Sequence, residues 1–199
     1  NFSIPKEMTL EDMAEIKAQF VQAAKNADEA GFDMIELQAH HGFLLASFLS
    51  PLTNIRTDEF GETIENRLKF PLRVFNEIRA AFPKEKPMSV RISATDWAEN
   101  GISEDDVLTI ATAFKNAGAD IINVSTGNTV ANQKPQTGRM WQTPFSDTVR
   151  NMVHVPTITA GYIQDIDQIN TIILNGRADL VALGRPLLLD ANFVRNAQA

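Results

Sequence analysis

The chain has 199 residues, 44% of them apolar and 22% charged, which fits an ordered globule with a sizeable core and excludes intrinsic disorder. Lysine and arginine total 18 against 25 acidic residues, and the net charge of -7 disfavours a general nucleic-acid-binding surface. Cysteine is absent, so there is no disulfide scaffold, thiolate nucleophile or cysteine metal cluster, and no apolar run is long enough to span a membrane.

The sequence opens at Asn1 with neither a methionine nor a signal-like apolar segment, as expected of a processed product or a piece of something longer. Thr9 and Asp12 have the spacing of a capping box, and Leu10, Met13, Ile16, Phe20 and Ala24 then recur at helical spacing until Gly31. Residues 34–38 read as a strand. A helix is expected over about 62–82, on the stripe Ile64, Leu68, Phe75, Ile78 and Phe82, with a kink or break at Pro71. Residues 88–93 are the second strand. Ser103 and Asp106 cap the next helix, Gly118 ends it, and 121–125 is the third strand.

Residues 126–143 lack periodicity and form a long polar loop, a kind of segment that is often functional. A short helix over 145–152, a strand over 157–161, a helix through Ile166, Ile169, Ile172 and Ile173, a strand over 180–184 and a terminal helix after Asp190 follow. Repeated strand-helix alternation implies a parallel sheet. On pattern alone an open sheet fits better than a barrel, because five strands are too few for an eight-strand barrel.

Alternation places Ser89, Arg91 and Ser93 on one face of the second strand. A buried arginine needs partners. An internal ion pair with Glu36 or contact with a ligand would supply them, and simple exposure to solvent is the third reading. Gly161 ends the fourth strand, and Gly184 and Arg185 end the fifth. Glycine permits close backbone approach, and arginine adds positive charge, so these residues are candidates for a phosphate site. Neither GxGxxG nor a phosphate-loop lysine motif occurs.

Gln38 and His41 follow the first strand and would share one side of a helical turn, both able to donate hydrogen bonds to a carbonyl or oxyanion. His40 should point elsewhere. His154 reads as a turn residue, and with three histidines and no cysteine no metal site is expected. The 50–58 connector and Glu65-Asn66-Arg67 suit internal ion pairing, while Trp97, Trp141 and Phe145 fit either a planar ligand or core packing.

The segment Ile35-Glu36-Leu37-Gln38-Ala39-His40-His41-Gly42-Phe43 resembles the strand-end signature of Old Yellow Enzyme-like flavin oxidoreductases. Ser50-Pro51-Leu52-Thr53-Asn54, Arg56-Thr57-Asp58, Glu65-Asn66-Arg67, Val90-Arg91-Ile92-Ser93 and the stretch from Gly176 to Pro186 continue the likeness in order. Gly127-Asn128-Thr129-Val130 and Gly138-Arg139-Met140-Trp141 look more specifically like the reductase-type domain of the bifunctional salicyloyl-CoA and anthraniloyl-CoA monooxygenases.

The resemblance implies an FMN-binding (β/α)8 barrel of which residues 1–199 are the C-terminal portion, strands four to eight, with an N-terminal barrel segment missing. It implies FMN and NAD(P)H as cofactors, with Arg91 at the flavin ring and Gly161, Gly184 and Arg185 at its phosphate. Gln38 and His41 would act on an activated alkene, an enone or an unsaturated acyl thioester. It implies a cytoplasmic enzyme and leaves homo-oligomerisation open. Two departures stand out. Gln38 occupies a position where the family often has histidine, and Phe43 one where it often has a tyrosine proton donor. Phenylalanine cannot donate that proton. A flavin-binding domain without normal turnover, inside a larger monooxygenase, is the alternative.

Overall fold

A computed structural model describes residues 5–196. Helix α1 (Leu10–Glu29) starts with the expected capping box: the Asp12 amide donates to Thr9 Oγ1 at 3.1 Å, and the Thr9 amide to Asp12 Oδ2 at 2.8 Å. Strand β1 (Ile35–Ala39) leads into a short helix, α2 (Leu44–Leu49), too brief for its periodicity to be read in the sequence. Helix α3 (Ile64–Ala81) runs unbroken through Pro71, so of the kink or break expected there the break does not occur. Leu68, Phe70, Val74, Phe75 and Ile78 of this helix are buried in the core, and that burial outweighs the hydrogen bond the proline removes.

Strand β2 (Met88–Ser93), helix α4 (Glu104–Asn116) with its Ser103–Asp106 capping box, and strand β3 (Ile121–Ser125) match the sequence reading. After the long connection come α5 (Thr143–Val153), β4 (Thr157–Thr159), α6 (Ile166–Leu174), β5 (Leu180–Val181), α7 (Arg185–Leu189) and α8 (Phe193–Asn196). His154 is the left-handed cap of α5 with φ 56°, a turn residue as expected. The short α7 was not legible in the sequence.

All four strand pairings are parallel, in the order β1-β2-β3-β4-β5. A doubly wound sheet reverses its order at a switch point, and this one does not. Right-handed crossovers that always step to the next strand put every helix on one face and form an arc of a (β/α) barrel, which corrects the open-sheet expectation.

The helix-facing side is apolar. Leu37, Val90, Ile92, Ile122 and Val124 join Phe75, Ile78, Phe114 and Val149 in one core. The opposite, inner side is polar in its first three strands, with Glu36, Gln38, Ser89, Arg91, Ser93, Asn123 and Ser125. Among the described residues β1 and β5 each have one strand neighbour only. A groove of about 470 Å³ runs along β1 beside α1, lined by Phe20, Ala24, Ile35, Leu37, Phe43 and Ile78 among others. No helix is long and apolar enough to cross a membrane among the described residues.

Candidate functional site

Register places one row across the inner face. Gln38 lies beside Arg91, Arg91 beside Asn123, Asn123 beside Ile158 and Ile158 beside Leu180. Glu36 does not pair with Arg91. Its Oε2 accepts from Ser89 Oγ at 3.0 Å and from Asn123 Nδ2 at 2.9 Å. Among the described residues Arg91 makes no salt bridge, and its Nε is buried without a hydrogen-bond partner. The side chain is half-buried, so solvent reaches part of it, but a buried N–H left unmet is costly; the internal-pair alternative fails and an acceptor from outside the chain fits the Nε position.

Gln38 is exposed on the inner face of β1, so it projects from a strand and not from the helical turn expected. His41 lies two residues past β1 with φ 54°. Its backbone N–H donates to Ser93 Oγ at 3.0 Å, and its Nε2 is 2.7 Å from Ser125 Oγ. The structure therefore brings Gln38, His41 and Arg91 to one end of adjacent strands. His40 does not point elsewhere. It is 3% exposed, and its ring centroid lies 4.1 Å from that of His41 and 5.6 Å from that of Phe43.

Burial, the neighbouring His41 and the positive charge of Arg91 push the His40 imidazole down to about 3. Burial first and Arg91 second also lower His41, against a Thr126 carbonyl that favours its charged form. His40 should thus show no NMR titration step between pH 7 and pH 4.5. Its unfolded-state value, near 6.5, lies above its folded one. The unfolded chain therefore binds the extra proton as pH falls below 6.5, and stability is lost in that direction, by up to ~1.4 kcal/mol per pH unit. Thermal melts should show this slope, and His40→Gln should flatten it.

The remaining candidates sit beyond the ends of β4 and β5. Gly161 has φ +100°, and a Cβ there would lie 2.7 Å from Trp141 Nε1. The indole occupies the space a side chain would need, so Gly161 has a steric reason to be glycine whatever its backbone amide binds. Trp141 in turn stacks on Trp97 at 5.8 Å, and Trp97 meets Phe145 edge-on at 5.5 Å. These aromatics pack on one another. Nothing lies within 4 Å of a Cβ placed on Gly184, which leaves an open cradle, and the Arg185 guanidinium rests 4.2 Å over the Tyr162 ring. An anion with a planar, hydrogen-bond-accepting body fits the unmet Arg91 donor and the open Gly184 position.

The polar connector is structural, as expected. Arg56 pairs with Asp58 and Glu7, Ser50 Oγ donates to the buried Asp96 at 2.7 Å, and Arg67 donates to the Leu49 carbonyl at 2.8 Å while pairing with Asp106. Sequence reasoning missed Ser93 and Ser125 as partners of His41. Their only trace was a serine at the end of each of two consecutive strands.

The profile of the NADH:flavin oxidoreductase / NADH oxidase family matches residues 1–199. The chain belongs to this family. It is 42% identical over 195 residues to an NADPH dehydrogenase of Clostridium acetobutylicum, covering 98% of this chain and 57% of that protein. The chain thus spans little more than half the length of that family member. Two solved structures share the fold. A 2-naphthoyl-CoA reductase in complex with 2-naphthoyl-CoA gives a TM-score of 0.90 at 26% identity, covering 97% of this chain and 30% of that one. Morphinone reductase in complex with tetrahydroNAD gives 0.75 at 27% identity, covering 98% and 52%. For a NADH:flavin oxidoreductase family chain, a parallel sheet in sequential order is an arc of the family barrel.

Proposed function

We propose that the complete polypeptide is an FMN-dependent NAD(P)H oxidoreductase that reduces an activated alkene. The observation that carries this reading is Arg91, whose buried Nε has no partner within the described chain and stands in register beside Gln38. Membership of the family and likeness to an NADPH dehydrogenase support it. FMN, when bound, supplies two-electron hydride chemistry between NAD(P)H and the substrate.

The chain's own residues bind, orient and stabilise. Arg91 opposes negative charge at the ring, and Gly161, Gly184 and Arg185 hold the phosphate through backbone amides and one guanidinium. Gln38, through its amide, and His41, through a ring N–H, donate to the electron-withdrawing oxygen of the alkene as charge develops there. His41 is held neutral by burial and by Arg91, so it stabilises as a hydrogen-bond donor and not as a cation. Phe43 delivers no proton, and water takes that role.

An unsaturated acyl thioester is one substrate class in keeping with the likeness to 2-naphthoyl-CoA reductase. The loss of the hydroxyl at Phe43 favours a second reading, a flavin domain with little ene-reductase turnover. The two readings separate on the spectrum of the purified complete polypeptide. Bleaching of a bound-flavin band by NADH or NADPH, and its return on adding an enone or enoyl thioester, supports the first. Tight FMN binding without bleaching by either nicotinamide supports the second, and no flavin band at all sinks both. Phe43→Tyr should raise turnover by about tenfold, part of the ~10²–10⁴ that a tuned general acid contributes. Steady-state kinetics with an enone would check this.

A further inference from the structure

His41 has φ 54°, in the left-handed region that a residue with a side chain seldom occupies. Two hydroxyls hold it there. The backbone N–H of His41 donates to Ser93 Oγ at 3.0 Å, and Ser93 Oγ reaches the Gly127 carbonyl at 3.4 Å. The ring Nε2 lies 2.7 Å from Ser125 Oγ. Ser93 and Ser125 are register partners at the carboxyl ends of β2 and β3, 3% and 0% exposed. One serine therefore fixes the main chain of His41 and the other its ring, from two strands to which His41 does not belong.

We propose that Ser125 is the positioning residue for His41: its hydroxyl pins Nε2 to the end of β3 and leaves Nδ1 as the ring nitrogen that serves the substrate oxygen. The inference rests on the reading of His41 as a donor. A neutral imidazole carries one N–H and one bare nitrogen, and what the bare nitrogen bonds to decides which one faces the reaction. Among the described residues Ser125 Oγ has no other hydrogen-bond partner. A hydroxyl can donate or accept at Nε2, and in the arrangement proposed its O–H donates there and the ring proton stays on Nδ1. Ser125 touches neither substrate nor cofactor in this account. It acts through the imidazole, as residues behind a metal-bound histidine do.

The test compares Ser125→Ala with Ser89→Ala in the complete polypeptide. Ser89 is an inner-face serine of the same kind, but it serves Glu36 at 3.0 Å. Ring ¹⁵N NMR should show a Nδ1–H tautomer for His41 in the parent protein and a mixed tautomer in Ser125→Ala, with Ser89→Ala unchanged. Turnover of an enone should fall in kcat by roughly five- to tenfold, the weight of one neutral hydrogen bond, with FMN affinity held. A Nδ1–H signature that survives Ser125→Ala, or a Nε2–H tautomer in the parent protein, would overturn the assignment. The NMR arm needs no turnover. A protein without enone reduction whose His41 tautomer still responds to Ser125→Ala keeps this inference and discards the reading of function.

Discussion

Replacing Arg91 by leucine is expected to weaken FMN binding by on the order of 100-fold, the weight of about 3 kcal/mol for hydrogen bonds to a charged group. The size follows from how the arginine is placed. Its Nε is buried and unmet, and the nearest plausible internal partner, Glu36, is already engaged by Ser89 and Asn123. Arg91 is half-buried, but its one buried, unmet N–H is a burden on the protein without ligand. The same substitution should therefore raise the melting temperature of FMN-free protein while it lowers affinity, two effects of opposite sign from one residue. It should also raise the titration points of both His40 and His41, since Arg91 contributes to holding each of them low. Arg91→Lys should fall between parent and leucine variant, because an ammonium keeps the charge but not the planar fork. Flavin fluorescence titration and melts of FMN-free protein check the pair of effects. Parent-like FMN affinity in Arg91→Leu would remove the physical basis of the cofactor assignment.

Local structure was legible in the sequence wherever short-range chemistry dictates it. Thr9–Asp12 and Ser103–Asp106 carry their own capping boxes, and the apolar-rich strand cores of 88–93 and 121–125 were found to the residue. Strand order was not legible. Alternation of strand and helix is common to open sheets and barrels, and only the motif likeness chose between them. The break expected as one alternative at Pro71 is absent because a propensity rule holds for isolated helices, while five residues of α3 are buried in the core. The candidate site was legible in its residue types and not in its directions. Arg91 could be placed on the inner face by counting in twos. The ring of His40 turned back towards His41 because a left-handed His41 and the following Gly42 reverse the chain, a turn that residue spacing does not reveal. Ser125 joined the site only through register between strands far apart in sequence.

The other large effect lies outside the site. Gly61→Ala is expected to destabilise the chain by about 3 kcal/mol or more, the upper end of overpacking costs. A Cβ on Gly61 would lie 1.9 Å from the Arg56 carbonyl oxygen and 2.5 Å from its carbon. Those are backbone atoms, so no rotamer change relieves the clash. Nor can the loop move freely. Asn54 Nδ2 donates to the carbonyls of Phe48 and Phe60 at 2.7 Å each, and the Phe60 amide donates to Asp58 Oδ1 at 3.0 Å. Arg56 itself is tied to the Met8 carbonyl at 2.9 Å and paired with Glu7 and Asp58. Any shift that admits the methyl breaks several of these bonds, and Phe48 belongs to α2, the helix that follows His41. The damage should therefore reach the histidine rim as well as the melting point. At roughly 2–4 °C per kcal/mol for a domain of this size, the melt should drop by about 10 °C. Gly138→Ala is the matched control, since nothing lies within 4 Å of a Cβ there and it should melt with the parent. Circular-dichroism melts that place Gly61→Ala and Gly138→Ala together would show that the 56–61 turn yields where its hydrogen bonds say it is held.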